Sequence, residues 1–114
     1  MVQQKTNHVT SIVKRNGDVV PFESNKSRNA ILKANVHISG EQISDAELDE
    51  ITLLVVAVHD QAGTTPTVEQ VQDTVEEKLI EFDLPKTAKA YILYRAEHQK
   101  RREMDANLMK IYEN

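Results

Sequence analysis

The 114-residue sequence contains no cysteine, which excludes disulfides, thiolate metal sites and thiol chemistry. Tryptophan is also absent, and aromatic residues make up only 4% of the chain. A hydrophobic core must therefore consist mainly of Val, Ile, Leu and Ala. The length is sufficient for one domain with one modest core.

Long apolar runs are missing as well. No stretch approaches the roughly 18 apolar residues that are needed to cross a bilayer, and the first residues lack the apolar segment of a signal peptide. The sequence therefore predicts a soluble, cytoplasmic protein that has no membrane partner.

Glycine is too scarce for a phosphate-binding loop, since the three glycines lie far apart at positions 17, 40 and 63. This excludes P-loop and Rossmann nucleotide sites. No nucleophile–base arrangement is recognisable, so no catalytic residue is assigned and the chain is not expected to be an enzyme by itself. The histidines lack metal-ligand spacing, so we expect no protein metal site and predict that all four lie on the surface: His8, His37, His59 and His98.

Charge is unevenly distributed, although the formal net charge is only −4. Residues 1–33 contain six basic and two acidic residues, residues 34–85 contain one basic and twelve acidic residues, and residues 86–114 contain seven basic and four acidic residues. Nucleic-acid binding favours a continuous basic face with interleaved aromatics, so the acidic middle argues against a nucleic-acid partner. A local basic pocket built from both ends of the chain is compatible with this pattern.

Two short extended segments open the recognisable structure. Residues 9–14 and 19–22 flank Asn16-Gly17, a dipeptide that predicts a β-hairpin with a two-residue turn. Pro21 cannot donate a hydrogen bond to a neighbouring strand, so the second strand is predicted to be an edge strand or to end there.

Four helical segments follow the hairpin. Ser24 or Asn25 can cap the first helix, and two capping boxes, Ser44-Asp45-Ala46-Glu47 and Thr67-Val68-Glu69-Gln70, predict the starts of the second and third. Apolar residues recur at helical spacing behind each start. We predict the helices over residues 24–34, 44–61, 67–83 and 86–110.

Three cations lie around the predicted hairpin. Lys14 and Arg15 precede its turn, and Lys26 lies on the first turn of the first predicted helix. The free N–H groups of a helix N-terminus favour anions, and fixed positive charge beside them suits a polyphosphate. Taken alone, such cations are more often a solvated hairpin tip and ordinary surface residues.

Three segments, in this order, resemble the ATP-cone, the small nucleotide-binding regulatory domain at the N-terminus of many ribonucleotide reductases. Residues 13–26 are similar to the family's V-x-K-R-[DN]-G pattern with a downstream Phe and Lys. Residues 67–76 are similar to the pattern of its third helix, and residues 87–95 to that of its final helix. The resemblance covers roughly residues 9–98.

The resemblance implies an α+β fold in which a short N-terminal β-hairpin caps a four-helix bundle. The implied organisation is a flexible N-terminus over residues 1–8, the ATP-cone over residues 9–98, and a helical extension or connector over residues 99–114. The final-helix segment is most similar to the cones of large catalytic subunits of the anaerobic or cobalamin-dependent class.

The function implied by the resemblance is allosteric. ATP and dATP would bind the domain and control the overall activity of a ribonucleotide reductase, and the domain itself would catalyse nothing. The implied partners are the catalytic core or another subunit of the reductase, with an oligomeric state that depends on the nucleotide. Mg²⁺ would accompany the nucleotide by bridging its phosphates and would need few protein ligands.

The resemblance also assigns five site residues around the hairpin. Lys14 and Arg15 would lie over the nucleotide, and Lys26 would bind a phosphate. Val13 would offer backbone groups to the adenine edge. Glu23 takes the position of a residue near the base or sugar.

Four further site residues are implied on the last two helices. Gln72 takes a third-helix position near the ribose. Tyr91 or Tyr94 could donate a hydroxyl to a phosphate or ribose while its ring packs on apolar surface. Arg95 adds positive charge from the same helix.

A second hypothesis belongs to a different class. The chain could be a helical protein-interaction or dimerisation module whose basic residues dock an acidic partner, without nucleotide binding. A small apolar stripe near the end of the last helix is formed by Met104, Leu108 and Ile111. It is compatible with a frayed helix end, with a connector to a larger protein or with a self-association face.

Overall fold

The computed structural model describes the backbone of residues 9–113 and the side chains of residues 9–105. Two antiparallel strands are followed by four helices, which confirms the α+β hairpin-and-bundle fold. The predicted flexible segment 1–8 and the side chains of Leu108 and Ile111 lie outside the described residues. The elements are β1 (Ser11–Val13), β2 (Val19–Pro21), α1 (Ser24–Asn35), α2 (Asp45–Ala62), α3 (Val68–Glu81) and α4 (Pro85–Glu113).

The hairpin turn differs from the prediction. The Lys14 N–H donates to the Asp18 carbonyl and the Gly17 N–H donates to the Lys14 carbonyl, both over 2.8 Å. Of the loop residues, only Gly17 has a positive φ, of 93°. A two-residue type I′ turn would need positive φ at both central positions, so the loop is instead a turn of three residues that ends in a left-handed glycine. The Asn16 side chain holds this loop by accepting the Asp18 N–H (3.0 Å).

Main-chain hydrogen bonds attach the hairpin to the helices. The Val13 N–H donates to the Pro66 carbonyl over 2.9 Å, and Val13 forms a parallel bridge with Thr67, directly before α3. The side chains of Ile12 and Phe22 pack on the hydrophobic core. The position of the hairpin is therefore set by α3 and by the core together.

Both predicted capping boxes form. The Ser44 hydroxyl accepts the Glu47 N–H (3.1 Å) at the start of α2, and the Thr67 hydroxyl accepts the Gln70 N–H (3.1 Å) at the start of α3. In each case the Glu47 or Gln70 side chain accepts the N–H of its capping residue in return. Two helix starts are thus fixed by local sequence alone.

The core lies between the four helices. α1 packs on α2 and α4, and α3 packs on the same two helices. The apolar stripes predicted from the sequence supply most of the buried side chains, and each fully buried Val, Leu or Ile side chain stabilises the fold by roughly 1.5–3 kcal/mol. The buried apolar residues are Ile31, Ala34, Leu48, Ile51, Val55, Val71, Val75, Leu79, Ala88 and Tyr91.

A buried hydrogen-bond network joins the end of α1 to the start of α4. The Asn35 amide donates to the Glu41 carbonyl and to the Thr87 hydroxyl, the latter over 2.9 Å. The Glu41 carboxylate accepts the N–H groups of Lys86 (3.0 Å) and Thr87 (2.8 Å), so it caps α4 from a distant loop. Desolvation opposes ionisation of Glu41, but the hydrogen bonds from Lys86 and Thr87 outweigh it and hold the pKa of this carboxyl below its ordinary value.

His59 contradicts the prediction that the histidines lie on the surface. It is buried, and its Nε2 atom lies 2.9 Å from the Thr74 hydroxyl oxygen. Because Thr74 donates its own proton to the Gln70 carbonyl, His59 Nε2 is the donor of this pair. Burial lowers the pKa of His59 below its ordinary value, against the opposing charges of Asp60 and Glu77.

Within the part of the chain that the structure describes, no helix combines the length and the apolar character that crossing a bilayer requires.

Candidate functional site

The hairpin carries two of the predicted nucleotide contacts at its exposed loop. Lys14 and Arg15 are both exposed. The Arg15 guanidinium lies 2.9 Å from the Glu69 carboxylate in the first turn of α3. Among the described residues, Lys14 makes no ion pair, so its charge is available to a ligand.

The start of α1 presents a second basic position. Glu23 is the N-cap residue, but its side chain makes no capping hydrogen bond, and the first turn of α1 contains no acidic residue. Lys26 is exposed on that turn, and among the described residues it has no ion-pair partner. Helix N–H groups that lack a side-chain acceptor, with a cation beside them, form an electrostatic environment that favours an anion.

The predicted site residue Arg95 contacts one face of α3. Arg95 on α4 pairs with Asp73 (2.9 Å) and Glu76 (2.5 Å), and Gln72 lies half-buried next to Asp73. Burial opposes the charge of Arg95, but these two carboxylates dominate and raise the pKa of the guanidinium. In this arrangement Arg95 is already neutralised from within the protein.

The two tyrosines of α4 have different environments. Tyr91 is buried in the core, and this burial raises the pKa of its hydroxyl well above the ordinary value, with Arg95 opposing. Tyr94 is half-buried, and its ring centroid lies 4.2 Å from that of His98. Tyr91 therefore has a packing role, whereas Tyr94 retains accessible surface.

The structure brings some predicted site residues together and leaves others apart. Arg15 from the hairpin and Arg95 from α4 both pair with carboxylates on α3, at positions 69, 73 and 76, which share one helix face. The Val13 N–H is engaged by Pro66. Within the described residues, no side-chain hydrogen bond or ion pair links Lys14 or Lys26 to the pairs on α3. The basic pocket built from both ends of the chain stays a prediction, because the hairpin and α4 each pair with different carboxylates of α3.

The acidic partners on α3 were not anticipated. Glu69, Asp73 and Glu76 hold the two arginines of the predicted site. Their spacing of four and three residues is the only local signal for a shared face. The identity of the cations opposite them depends on tertiary packing.

Two cavities lie away from Lys14 and Lys26. A groove of about 400 Å³ between α3 and α4 has an acidic rim that disfavours phosphate, and a polar cavity of about 290 Å³ lies where the start of β1 meets the loop after α2. Neither is lined by Lys14, Arg15 or Lys26. The groove is lined by Asp73, Glu76, Glu77, Ile80, Ala88 and Ile92, and the cavity by Val9, Thr10, Ser11, His59, Gly63, Thr64 and Thr65.

Comparison with known proteins relates this geometry to a family. A profile described as the ATP cone domain matches residues 10–100. The chain is 41% identical over 101 residues to the vitamin B12-dependent ribonucleoside-diphosphate reductase of Thermoplasma acidophilum. The aligned region covers 83% of this chain and 13% of that protein.

Two further relatives carry related names. The anaerobic ribonucleoside-triphosphate reductase of Escherichia coli is 30% identical over 97 residues, with 85% of this chain and 13% of the relative covered. Subunit alpha of the Chlamydia pneumoniae ribonucleoside-diphosphate reductase is 32% identical over 121 residues, with 97% and 12% covered. The chain thus spans about an eighth of the length of these relatives. Because the profile runs from the hairpin through the bundle and into the last helix, and because the fold agrees with it, this chain belongs to the ATP-cone domain family of ribonucleotide reductases.

Proposed function

We propose that this chain is a regulatory domain that binds ATP and dATP and controls the overall activity of a ribonucleotide reductase. Its family membership supports a regulatory role, and the relatives' names supply the parent enzyme class. The chain has no assigned catalytic residue. The chemistry of reduction would therefore reside in the remainder of the enzyme.

The observation that carries this proposal is the basic, uncapped start of α1 beside the hairpin. Glu23 leaves the first turn of α1 without a side-chain cap, and Lys26 adds a positive charge there that has no ion-pair partner in the described part of the chain. Lys14 on the hairpin is a second cation that makes no ion pair with the residues the structure describes. A triphosphate supplies the acceptors and the negative charge that these groups lack.

The remaining contacts would position the nucleoside. Arg15 would chelate phosphate oxygens or stack on the base, Val13 and Glu23 would lie at the adenine and sugar, and Lys14 and Lys26 would bind phosphates. On the helices, Gln72 would lie near the ribose, and Tyr94 would offer its hydroxyl to a phosphate or to the ribose. Tyr91 and Arg95 would pack behind these two residues and hold them in position.

Mg²⁺ would enter with the nucleotide. Within the described residues, no group of three His, Asp or Glu side chains could hold a metal ion. A magnesium ion bridging the phosphates needs few protein ligands, so the donor set of this chain fits a nucleotide-borne ion better than a protein-borne one.

The parent enzyme and its assembly follow as further proposals. The relatives include B12-dependent and anaerobic reductases, so we propose the cone of a large catalytic subunit of one of these classes, acting in the cytoplasm on the catalytic core or a partner subunit. Residues 9–98 would form the cone, and residues 99–114 would connect it to that core. Oligomeric state would change with the bound nucleotide.

Calorimetric titration with ATP and dATP tests the binding site. Lys14→Ala and Lys26→Ala should each weaken the Kd for both nucleotides by roughly ten-fold, because each removes one charge-assisted phosphate contact. The matched control is Lys33→Ala, which removes a lysine from the last turn of the same helix. Unchanged Kd values in both site variants, with melting temperatures equal to that of the unaltered chain, would contradict the residue assignment.

Exposed apolar residues favour the alternative of a protein-interaction module. Leu53, Ile80 and Leu93 are 68%, 58% and 62% exposed, and Met104 is 56% exposed. A thermal-shift screen separates the two functions, because a ligand that binds the native state raises the melting temperature. Stabilisation by millimolar ATP or dATP beyond that by pyrophosphate supports the nucleotide site. A flat response to all three supports the interaction module.

A further inference from the structure

The two arginines of the predicted site differ from its two lysines in one respect. Arg15 and Arg95 are held by carboxylates on α3, whereas Lys14 and Lys26 make no ion pair among the described residues. The Arg15 guanidinium already pairs with the Glu69 carboxylate, whose negative charge would repel a phosphate placed at the same guanidinium. Glu69 and an incoming nucleotide are therefore competitors for the same guanidinium.

The position of Glu69 suits such a competition. The Val13 N–H bond to Pro66 and the Val13–Thr67 bridge fix the hairpin beside the start of α3. Arg15 follows Val13 by two residues, and Glu69 follows Thr67 by two residues. The two side chains are thus brought together by the backbone on either side of them, and their pairing is a consequence of how the hairpin is attached.

The strength of the pair is low enough for a ligand to break it. The side chains of Arg15 and Glu69 are 41% and 37% exposed, and a pair that is this accessible to water stabilises a protein weakly. Glu69 also lies in the first turn of α3, where the helix dipole favours a negative charge without any partner. Releasing Arg15 therefore does not leave Glu69 in an unfavourable environment.

We propose that Glu69 acts as an internal competitor of the nucleotide, which takes Arg15 away from α3 when its phosphates bind. This inference rests on the proposed function, because it requires a nucleotide near the hairpin. The exchange replaces a carboxylate by a phosphate on one guanidinium, and both ion pairs are charge-assisted hydrogen bonds. The ion pair between the hairpin and the first turn of α3 then exists only in the nucleotide-free domain.

A consequence for regulation follows directly. Nucleotide binding removes one of the contacts between the hairpin and α3, and α3 also holds α4 through Arg95. The domain thus has two arrangements of the same arginine, one of which the nucleotide favours through a contact made only in that state. Differential contact of this kind is what a ligand needs in order to shift an equilibrium.

A double-mutant cycle measured by calorimetry tests the competition. Glu69→Gln should tighten the Kd for ATP about two- to five-fold, since the nucleotide no longer has to displace a carboxylate. In an Arg15→Ala background the same Glu69→Gln change should leave the Kd unaltered, because the guanidinium that is contested is gone. Glu77→Gln is the matched control: it removes the same charge from the same helix, two turns further on.

The outcomes separate this inference from the function beneath it. If the unaltered chain binds no ATP, the proposed function fails and the competition fails with it. If the unaltered chain binds ATP and Glu69→Gln leaves the Kd unchanged, only the competition is overturned. Equal tightening by Glu69→Gln with and without Arg15, or by Glu77→Gln, would show a general charge effect and would also overturn it.

Discussion

The starts of the four helices differ in how their backbone N–H groups are satisfied. α2 and α3 begin with capping boxes, and α4 is capped by the Glu41 carboxylate from the loop before α2. α1 begins at Glu23, which makes no side-chain cap. Three helix N-termini thus have a side-chain acceptor from within the protein, whereas the start of α1 has none and carries Lys26 on its first turn. This difference between the helix starts supports the proposed anion site at α1.

The largest expected effect concerns the capped side of this comparison. Thr87→Val keeps the side-chain shape but removes the hydroxyl that the Asn35 amide and the Glu41 carboxylate share. The buried Asn35 donor is then left with one partner fewer, so the free energy of unfolding should fall by about 1–3 kcal/mol. Urea denaturation measures the loss. Thr64→Val, at an exposed position, should change it by less than about 0.5 kcal/mol.

A smaller effect should distinguish α2 from α1 directly. Ser44→Ala removes the hydroxyl that accepts the Glu47 N–H, and should lower the free energy of unfolding by about 1 kcal/mol. Glu23→Ala removes a side chain that makes no capping bond, and should leave stability within about 0.5 kcal/mol of the unaltered chain. Thermal melts of both variants without nucleotide make the comparison. Equal losses would mean that α1 is capped after all.

The smallest expected effect is a loss of stability at low pH that comes from Glu41, the residue that caps α4. The pKa of Glu41 is held below its ordinary value, so the folded state favours the ionised carboxyl. Its stabilisation is therefore complete above the ordinary carboxyl range and is lost as the pH falls through the lowered pKa. Melting temperatures between pH 6 and pH 3 should show this loss in the unaltered chain. Glu41→Gln should flatten that part of the profile, whereas Glu50→Gln, at an exposed position on α2, should not.

Local sequence was sufficient for two helix starts and for the core faces of the helices, but not for the start of α1, where the N-cap residue is Glu23 and not Ser24 or Asn25 as predicted. The capping boxes at Ser44 and Thr67 gave the starts of α2 and α3, and apolar spacing gave the core faces of the helices. The hairpin was found, but its loop was predicted one residue too short. Asn16 uses its side chain to accept the Asp18 N–H, and only Gly17 takes the left-handed conformation.

Interactions between distant residues could not be read from the sequence. Glu41 caps a helix that begins more than forty residues later, and His59 is buried against Thr74. Likewise, nothing local indicates that Arg15 and Arg95 face carboxylates on the same helix. The positions of the candidate cations were therefore predictable, whereas their pairing, which determines which of them are free to bind, depends on packing.

The way the hairpin joins the bundle also affects how the isolated domain behaves at high concentration. One edge of the two-stranded sheet is paired with Pro66 and Thr67. The strand at the other edge ends in Pro21, which has no N–H group to donate. Such a sheet gives a neighbouring molecule little to extend by strand addition. In concentrated solutions, fibrils should therefore not grow by addition of strands to the hairpin.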